Sequence, residues 1–433
     1  MPSQPALRRR DLLRAIPVIF GASAAGSLAF GAEPETDATL TSLDLEQSGR
    51  VEGLPTAFSL AERDRRWARV RAMMRRSGFD CLLTPAASGD ADADSRYLTG
   101  RRGWVIFPGS GPVTLVHDGD DDAAVPWVSD VRVAEDGHWS LPVIDALRAL
   151  KIRTARLGVG RLDGVLRNIE GDVTATTLDR IRAAFPRARV VSAADPLMRV
   201  KLVRSDEEIA ALEHATAAGE RAIAAMIEIA RPGAQHKDVW LRIFAEITGA
   251  TGETPQRLAI RAGNEANTST GGPMLETLRA GQICNQEIGA RVLGYMAQVN
   301  HSICIGSEAP PNWQSAGQYC VDVFHELVEW IKPGKSFLDL CRFYVGRAKA
   351  HDPSFSPTGV LIHTCGFGDG PRMGLTRSET PDLVIEPGMV FTVKPRIVIA
   401  GTRPTAQFGD PVLVTDRGAR RLGKRNLSLV STG

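Results

Sequence analysis

Two stretches of this chain repeat one another in order and at nearly constant spacing, which constrains the fold more than any other feature. Arg231-Pro232-Gly233 followed by Asp238-Val239 returns 101 residues later as Lys332-Pro333-Gly334 followed by Asp339-Leu340. Gly281, with Glu287 six residues on, returns 107 residues later as Gly388 with Lys394. A lone Arg/Lys-Pro-Gly is only a helix stop and a turn. The paired order and offset suggest two similar halves related by a pseudo-twofold axis. Ligand sites commonly lie between such halves. In both copies a strand-like run ends on a charge: residues 283–287 deliver Glu287, residues 390–394 deliver Lys394. The pairing suggests an acid and a base facing each other in one cavity.

The repeat occupies an α+β domain over residues 201–433. Ser205-Asp206-Glu207-Glu208 is a capping box that opens a long helix to about Ala230, where Arg231-Pro232-Gly233 stops it. Strand-like runs follow at residues 283–292, 296–305, 390–399 and 411–415, with helices near 237–248 and 314–331. Upstream, Ser59-Leu60-Ala61-Glu62 opens a helix with Trp67, Val70, Met73 and Met74 on one face. Residues 81–85, 104–108, 113–116, 157–159 and 189–191 read as strands, with helices near 142–150 and 176–184. This alternation predicts an α/β N-terminal domain over residues 59–200. Residues 33–58 lack periodicity and read as a linker.

At the amino terminus, Arg9-Arg10-Asp11-Leu12-Leu13-Arg14 precedes eighteen uncharged residues rich in Ala, Gly and Ser. With Pro17 inside it, the run is a poor membrane anchor. Ala29, Gly31 and Ala32 suit a signal peptidase. Residues 1–32 resemble a twin-arginine signal, which implies the twin-arginine export machinery as a partner and a periplasmic or exported location. Removing the leader's net +3 from the chain's +2 leaves −1, no footprint for nucleic acid. The six cysteines show no C-x-x-C spacing and lie mostly in apolar runs, as buried small hydrophobes do. A disulfide among Cys304, Cys320 and Cys341 is left open.

The order of motifs over about residues 59–425 resembles the creatinase, prolidase and methionine aminopeptidase family, the pita-bread fold. The run from Met73 to Gly100, with Phe79-Asp80-Cys81-Leu82-Leu83 and Tyr97-Leu98-Thr99-Gly100, is similar to the creatinase-type N-domain. Lys201 to Glu208 resembles the domain junction. Gly289, Gly294-Tyr295, Gly366-Phe367-Gly368, Glu379-Thr380-Pro381, Glu386-Pro387-Gly388-Met389-Val390-Phe391 and Asp410 to Gly418 then follow in the family's order. The resemblance implies a homodimer. It also implies a two-metal site of two Asp, one His and two Glu, but these positions hold Glu287, Gln298, Phe367, Lys394 and Gly409. Hard divalent ions need several oxygen or imidazole ligands, which Phe, Lys and Gly do not supply. No metal and no cofactor are therefore expected. The family's metal-free creatinase branch also departs: its histidine falls near Thr270, its strand glutamate on Asn300 and its other glutamate on Lys394. Creatine hydrolysis is not supported.

The expected protein is thus an exported, metal-independent relative, a hydrolase or lyase acting on a small C–N or peptide-like molecule. Two alternatives stay open: a periplasmic binding pseudoenzyme, and a metallopeptidase with rearranged ligands. Lys394 is either a structural cation filling the vacated metal site or a base or nucleophile. Glu287, His363 and His301 complete the candidate catalytic set, the histidines as proton carriers near neutral pH. Gln298, Phe367, Thr270, Glu379 and Asp410 would line the pocket for a small-molecule or short-peptide ligand. Strand alternation puts Gln298 and Asn300 on one face and His301 on the other.

Overall fold

In a computed structural model, the described residues are 53–86, 93–119, 126–151, 154–163, 170–262, 275–306, 308–351, 362–366, 383–398 and 405–433. Residues 1–52, with the expected export signal and most of the linker, lie outside them. So do three expected pocket residues, Thr270, Phe367 and Glu379.

Helix α1 (Leu60–Ser77) begins where Ser59 accepts a hydrogen bond from the Glu62 N–H at 3.0 Å. The reciprocal half of that capping box is replaced. Glu62 instead holds Arg65 and Arg66 at 2.7 and 2.6 Å, and the Ser59 N–H donates to Glu207 at 2.8 Å. Strands β1 (Cys81–Thr84), β2 (Trp104–Pro108), β3 (Thr114–His117), β4 (Asp130–Val133), β5 (Arg156–Val159) and β6 (Arg189–Ser192) form a mixed sheet in the order β4-β3-β2-β1-β5-β6. Helices α2 (Ala93–Thr99), α3 (Ser140–Ala149), α4 (Ala175–Ala184) and α5 (Ala194–Val200) complete this layer. After α5, Lys201 donates to Asp94 at 2.5 Å, both side chains buried.

The duplication is visible bond by bond. The first half runs α6 (Asp206–Ile229), α7 (His236–Thr251), β7 (Arg257–Ala262), β8 (Ile283–Val292) and β9 (Tyr295–His301), closed by β10 (Ile303–Cys304). The second runs α8 (Pro311–Trp330), α9 (Phe337–His351), β11 (Ile362–Thr364), β12 (Val390–Val393), β13 (Arg396–Val398) and β14 (Thr405–Val414). The α6 N-terminus carries the full capping box between Ser205 and Glu208. Before α7, Gly233 donates to Leu278 O at 2.9 Å and Leu278 donates to Ala234 O at 2.8 Å. Before α9, Gly334 donates to Ile385 O at 2.9 Å and Ile385 donates to Lys335 O at 2.8 Å. Gly281 and Gly388, at φ of 80° and 84°, make the matching left-handed turns into β8 and β12.

The sheet of the two halves has the core order β11-β12-β14-β9-β8-β10, with β7 on β8 and β13 on β14. One face is packed under helices. Ile288 and Val299 join Ala218 and Ala222 of α6 in one core cluster. Phe391, Val393 and Phe408 join Phe324 of α8 in another. The opposite face is therefore the one that can carry chemistry. All six cysteines are buried and none forms a disulfide. Among the described residues no helix is long and apolar enough to cross a membrane.

Candidate functional site

Strand alternation sends the neighbours of these core residues to the opposite face. The register there is continuous across the sheet. Ala259 of β7 opposes Glu287 of β8, Gly289 opposes Gln298, and Asn300 of β9 opposes Gly409 of β14. The Val393–Asp410 pair then sets Lys394 beside Gly409. Glu287 and Lys394, the two ends of the duplicated frames, thus lie in one row with Asn300 and Gly409 between them.

Lys394 is 5% exposed, and its Nζ lies 3.4 Å from Glu287 Oε1. Gly409 makes this path available. A Cβ there would lie 2.5 Å from Lys394 Cβ, and 2.9 Å from both Lys394 Cα and Val393 O. Glu287 Oε2 takes Arg257 Nε at 3.0 Å. Arg257 and Arg261 flank Ala259 at two residues either side, so both share the face of Glu287. Burial pushes the Glu287 carboxyl up, but Lys394, Arg257 and Arg261 outweigh it and hold it down at about 2. Glu287 is therefore ionised at physiological pH. Arg396, opposite Gln407, adds a fourth cation. Burial pushes its guanidinium below the ordinary value; Glu287 and Tyr344 oppose that, and Arg261 reinforces it.

His363 of β11 opposes Thr392 of β12 and belongs to the same face. It is buried; Nδ1 donates to Thr364 O at 2.9 Å and Nε2 faces the Gln298 amide at 3.0 Å. The structure thus brings together Glu287, Lys394, Gln298 and His363.

His301, a catalytic candidate that strand alternation had put on the other face, and Asp410, expected to line the pocket, do not join it. Their odd-even position puts them under the helices. Asp410 is bound by Arg421 and, at 2.5 Å, by Arg425, which also reaches Glu220 of α6 at 3.2 Å. His301 lies 3.4 Å from Arg425 Nε and edge-on to Phe408. Burial, with Arg425 and Arg421, pushes its imidazole down to about 3. It is neutral at pH 7 and takes up no second ring proton there.

The described residues at the implied metal positions do not fit a metal pair. Glu287 is the single carboxylate among them, and two cations already occupy its oxygens. Gln298 is engaged with His363, Lys394 is cationic, and Gly409 has no side chain. Among the described residues no three His, Cys, Asp or Glu side chains converge as a metal group. Sequence reasoning missed Arg257, Arg261 and Arg396. The available signal was Arg257-Leu258-Ala259-Ile260-Arg261, in which the two arginines, four residues apart, fall on the same face if the run is a strand.

The chain as a whole resembles known proteins. Residues 210–416 match the model of metallopeptidase family M24. The creatinase of a Bacillus species is 23% identical over 403 residues, 87% of this chain and 94% of its own length. The Xaa-Pro dipeptidase of Pyrococcus furiosus is 24% identical over 347 residues, 75% of this chain and 91% of its own. The dipeptidase PepE structure from Mycobacterium ulcerans superposes with a TM-score of 0.69 at 22% identity, covering 87% of this chain and 99% of that one. Through residues 210–416, then, this chain belongs to metallopeptidase family M24, the creatinase and Xaa-Pro peptidase group, and has its pita-bread fold.

Proposed function

We propose that this chain is an exported, metal-independent hydrolase of its family, acting on a small C–N or peptide-like substrate held on the cationic face of the sheet. The observation that carries the reading is the Lys394–Glu287 pair closed over Gly409, which puts an ammonium where the family resemblance implies a metal ligand. Among the described residues, the buried Lys394 and the half-buried Arg261 and Arg396 share one face with Glu287, and keeping like charges there is costly enough to a fold to support a functional role over drift. Attack of water on an acyl C–N bond develops negative charge on the carbonyl oxygen. Fixed cations such as Lys394 would stabilise it. The water hydroxyl goes to the acyl carbon and the proton to the departing amine. His363 is the imidazole on this face able to carry that proton. Glu287, held at about 2, is too weak a base for that task and orients Lys394 instead. The twin-arginine run supports export, and the family resemblance supports a homodimer.

A second reading, a binding protein without turnover, is favoured by that same clamped carboxylate. Two measurements decide. Metal content by mass spectrometry, after incubation with manganese, cobalt and zinc and then desalting, tests metal independence; near-stoichiometric metal counts against it. Lys394→Met separates enzyme from binder. In an enzyme, turnover of dipeptides or N-substituted amino acids in chelator disappears. In a binder, there is no turnover to lose and ligands still raise the melting temperature.

A further inference from the structure

We infer that Arg204 is a positioning residue for the candidate catalytic face: its guanidinium fixes the end of β11 and thereby the seat of His363. This rests on the reading of His363 as the proton carrier. Arg204 lies at the junction of the domains, outside the strands that bear the candidate residues, yet it reaches three of them. Its side chain is buried, and Nη2 donates to Cys365 O at 2.9 Å. Cys365, two residues beyond His363, donates its own N–H to Val390 O of β12 at 2.8 Å. Gly366 exchanges two hydrogen bonds with Met296 of β9, at 3.0 and 3.1 Å. Two residues along β9 stands Gln298, which faces His363 Nε2. The Arg204 main-chain N–H donates to Gly388 O at 2.9 Å, in the turn that opens β12 and leads to Lys394.

Two glycines make room for this arginine. At Gly366, where φ is 115°, a Cβ would lie 2.7 Å from Arg204 Nη2 and 3.1 Å from its Cζ. At Gly388 a Cβ would lie 3.1 Å from Arg204 O. The guanidinium is also held from behind. It lies 5.5 Å over the Tyr295 ring, with Nη1 3.8 Å from Glu208 Oε1, and the Tyr295 hydroxyl donates to that same carboxylate. A planar fork fixed on two sides leaves little freedom to the carbonyl it grips. Strand β11 needs such a grip. It is three residues long and, among the described residues, borders β12 alone at the edge of the sheet. A reacting side chain must be held to within about 0.5 Å by its supporting contacts, and a three-residue ladder at an edge supplies few of them.

The test uses the full processed protein in EDTA, labelled with 15N-histidine and followed by long-range proton–nitrogen NMR. Loss of signals in His363→Gln assigns the His363 ring. Arg204→Gln removes the fork and should shift both His363 ring nitrogens while circular dichroism stays that of the parent. Arg204→Lys keeps the charge beside Glu208 but loses the fork; it should shift them less, and it serves if the glutamine variant fails to fold. Arg65→Gln loosens the same junction through Glu62 and Glu208 and should leave His363 unmoved. In turnover of dipeptides or N-substituted amino acids, Arg204→Gln should lower kcat at least tenfold with KM within about threefold, and lysine should restore part of the loss. Unmoved His363 nitrogens in Arg204→Gln, or equal shifts in Arg65→Gln, overturn the inference. Shifted nitrogens with parental kcat uphold the placement of His363 by Arg204 and sink the proton-carrier reading alone. With no turnover in the parent, the nitrogen shifts decide by themselves.

Discussion

Lys394→Met removes the ammonium while keeping most of the side-chain volume, so it isolates charge from packing. The Glu287 carboxyl sits at about 2 instead of the ordinary 4.5. At about 1.4 kcal/mol per pH unit, that is about 3 kcal/mol of preference for the ionised form. The charge of Lys394 is the largest single lowering influence, so its loss at neutral pH should cost about 1–2 kcal/mol, with Arg257 and Arg261 retained. The pH window follows from the sign. A depressed carboxyl contributes its full stabilisation above pH 4.5 and loses it as pH falls towards about 2. The gap between parent and variant should therefore be widest above pH 5 and close as the solution is acidified. Urea unfolding followed by tryptophan fluorescence at several pH values measures it. A cycle with Glu287→Gln isolates the coupling, expected at about 1–2 kcal/mol. A gap independent of pH, or coupling near zero, would refute the reasoning.

Gly409→Ala should destabilise the fold by about 1–3 kcal/mol through overpacking. Adding Lys394→Ala should not rescue it, because alanine keeps the Cβ and Cα at position 394 and Val393 O is unchanged, so every atom the new Cβ meets remains; full rescue in denaturation curves would contradict the geometry. Arg66→Leu should cost about 1.5–3 kcal/mol, because it removes one of the two arginines on the buried Glu62 carboxylate while Arg65 is retained; wild-type stability would argue against a functional ion pair there. The His301 imidazole, held at about 3, should show no NMR titration between pH 5 and 8. Its stabilisation of the fold should fade as pH falls from 6.5 towards 3, and a midpoint near 6.5 would contradict the burial argument.

What the sequence disclosed followed strong local chemistry. Ser59 and Ser205 marked real helix starts, and the Pro-Gly pairs at 232–233 and 333–334 marked the turns that relate the halves. Glu287 and Lys394 were legible as partners because the repeat gave them equivalent frames. Three features resisted. Strand β7 is six residues long with charges only at its first and fifth positions, too little alternation for a strand pattern to register. Strand β4, four residues alternating between half-buried and exposed, is too short for periodicity to register. Asp410 looked like a pocket residue because the strand was read as starting after it. It lies inside β14, where parity with Gly409 turns it beneath the helices. Sidedness in a sheet depends on register, which a single charged residue does not announce.

The close approach at Gly409 also dictates the order in which this site can be re-engineered. A carboxylate restored at Lys394 alone would stand against Glu287 in the same row. One restored at Gly409 alone would collide with the main chain of the neighbouring strand. The two changes made together still meet that collision. Placing a pair of carboxylates in this row would first require β12 to part from β14, because a side chain at Gly409 meets the backbone of Lys394 and Val393. Which side chains stand here is a matter of composition, whereas which could replace them is a matter of strand spacing.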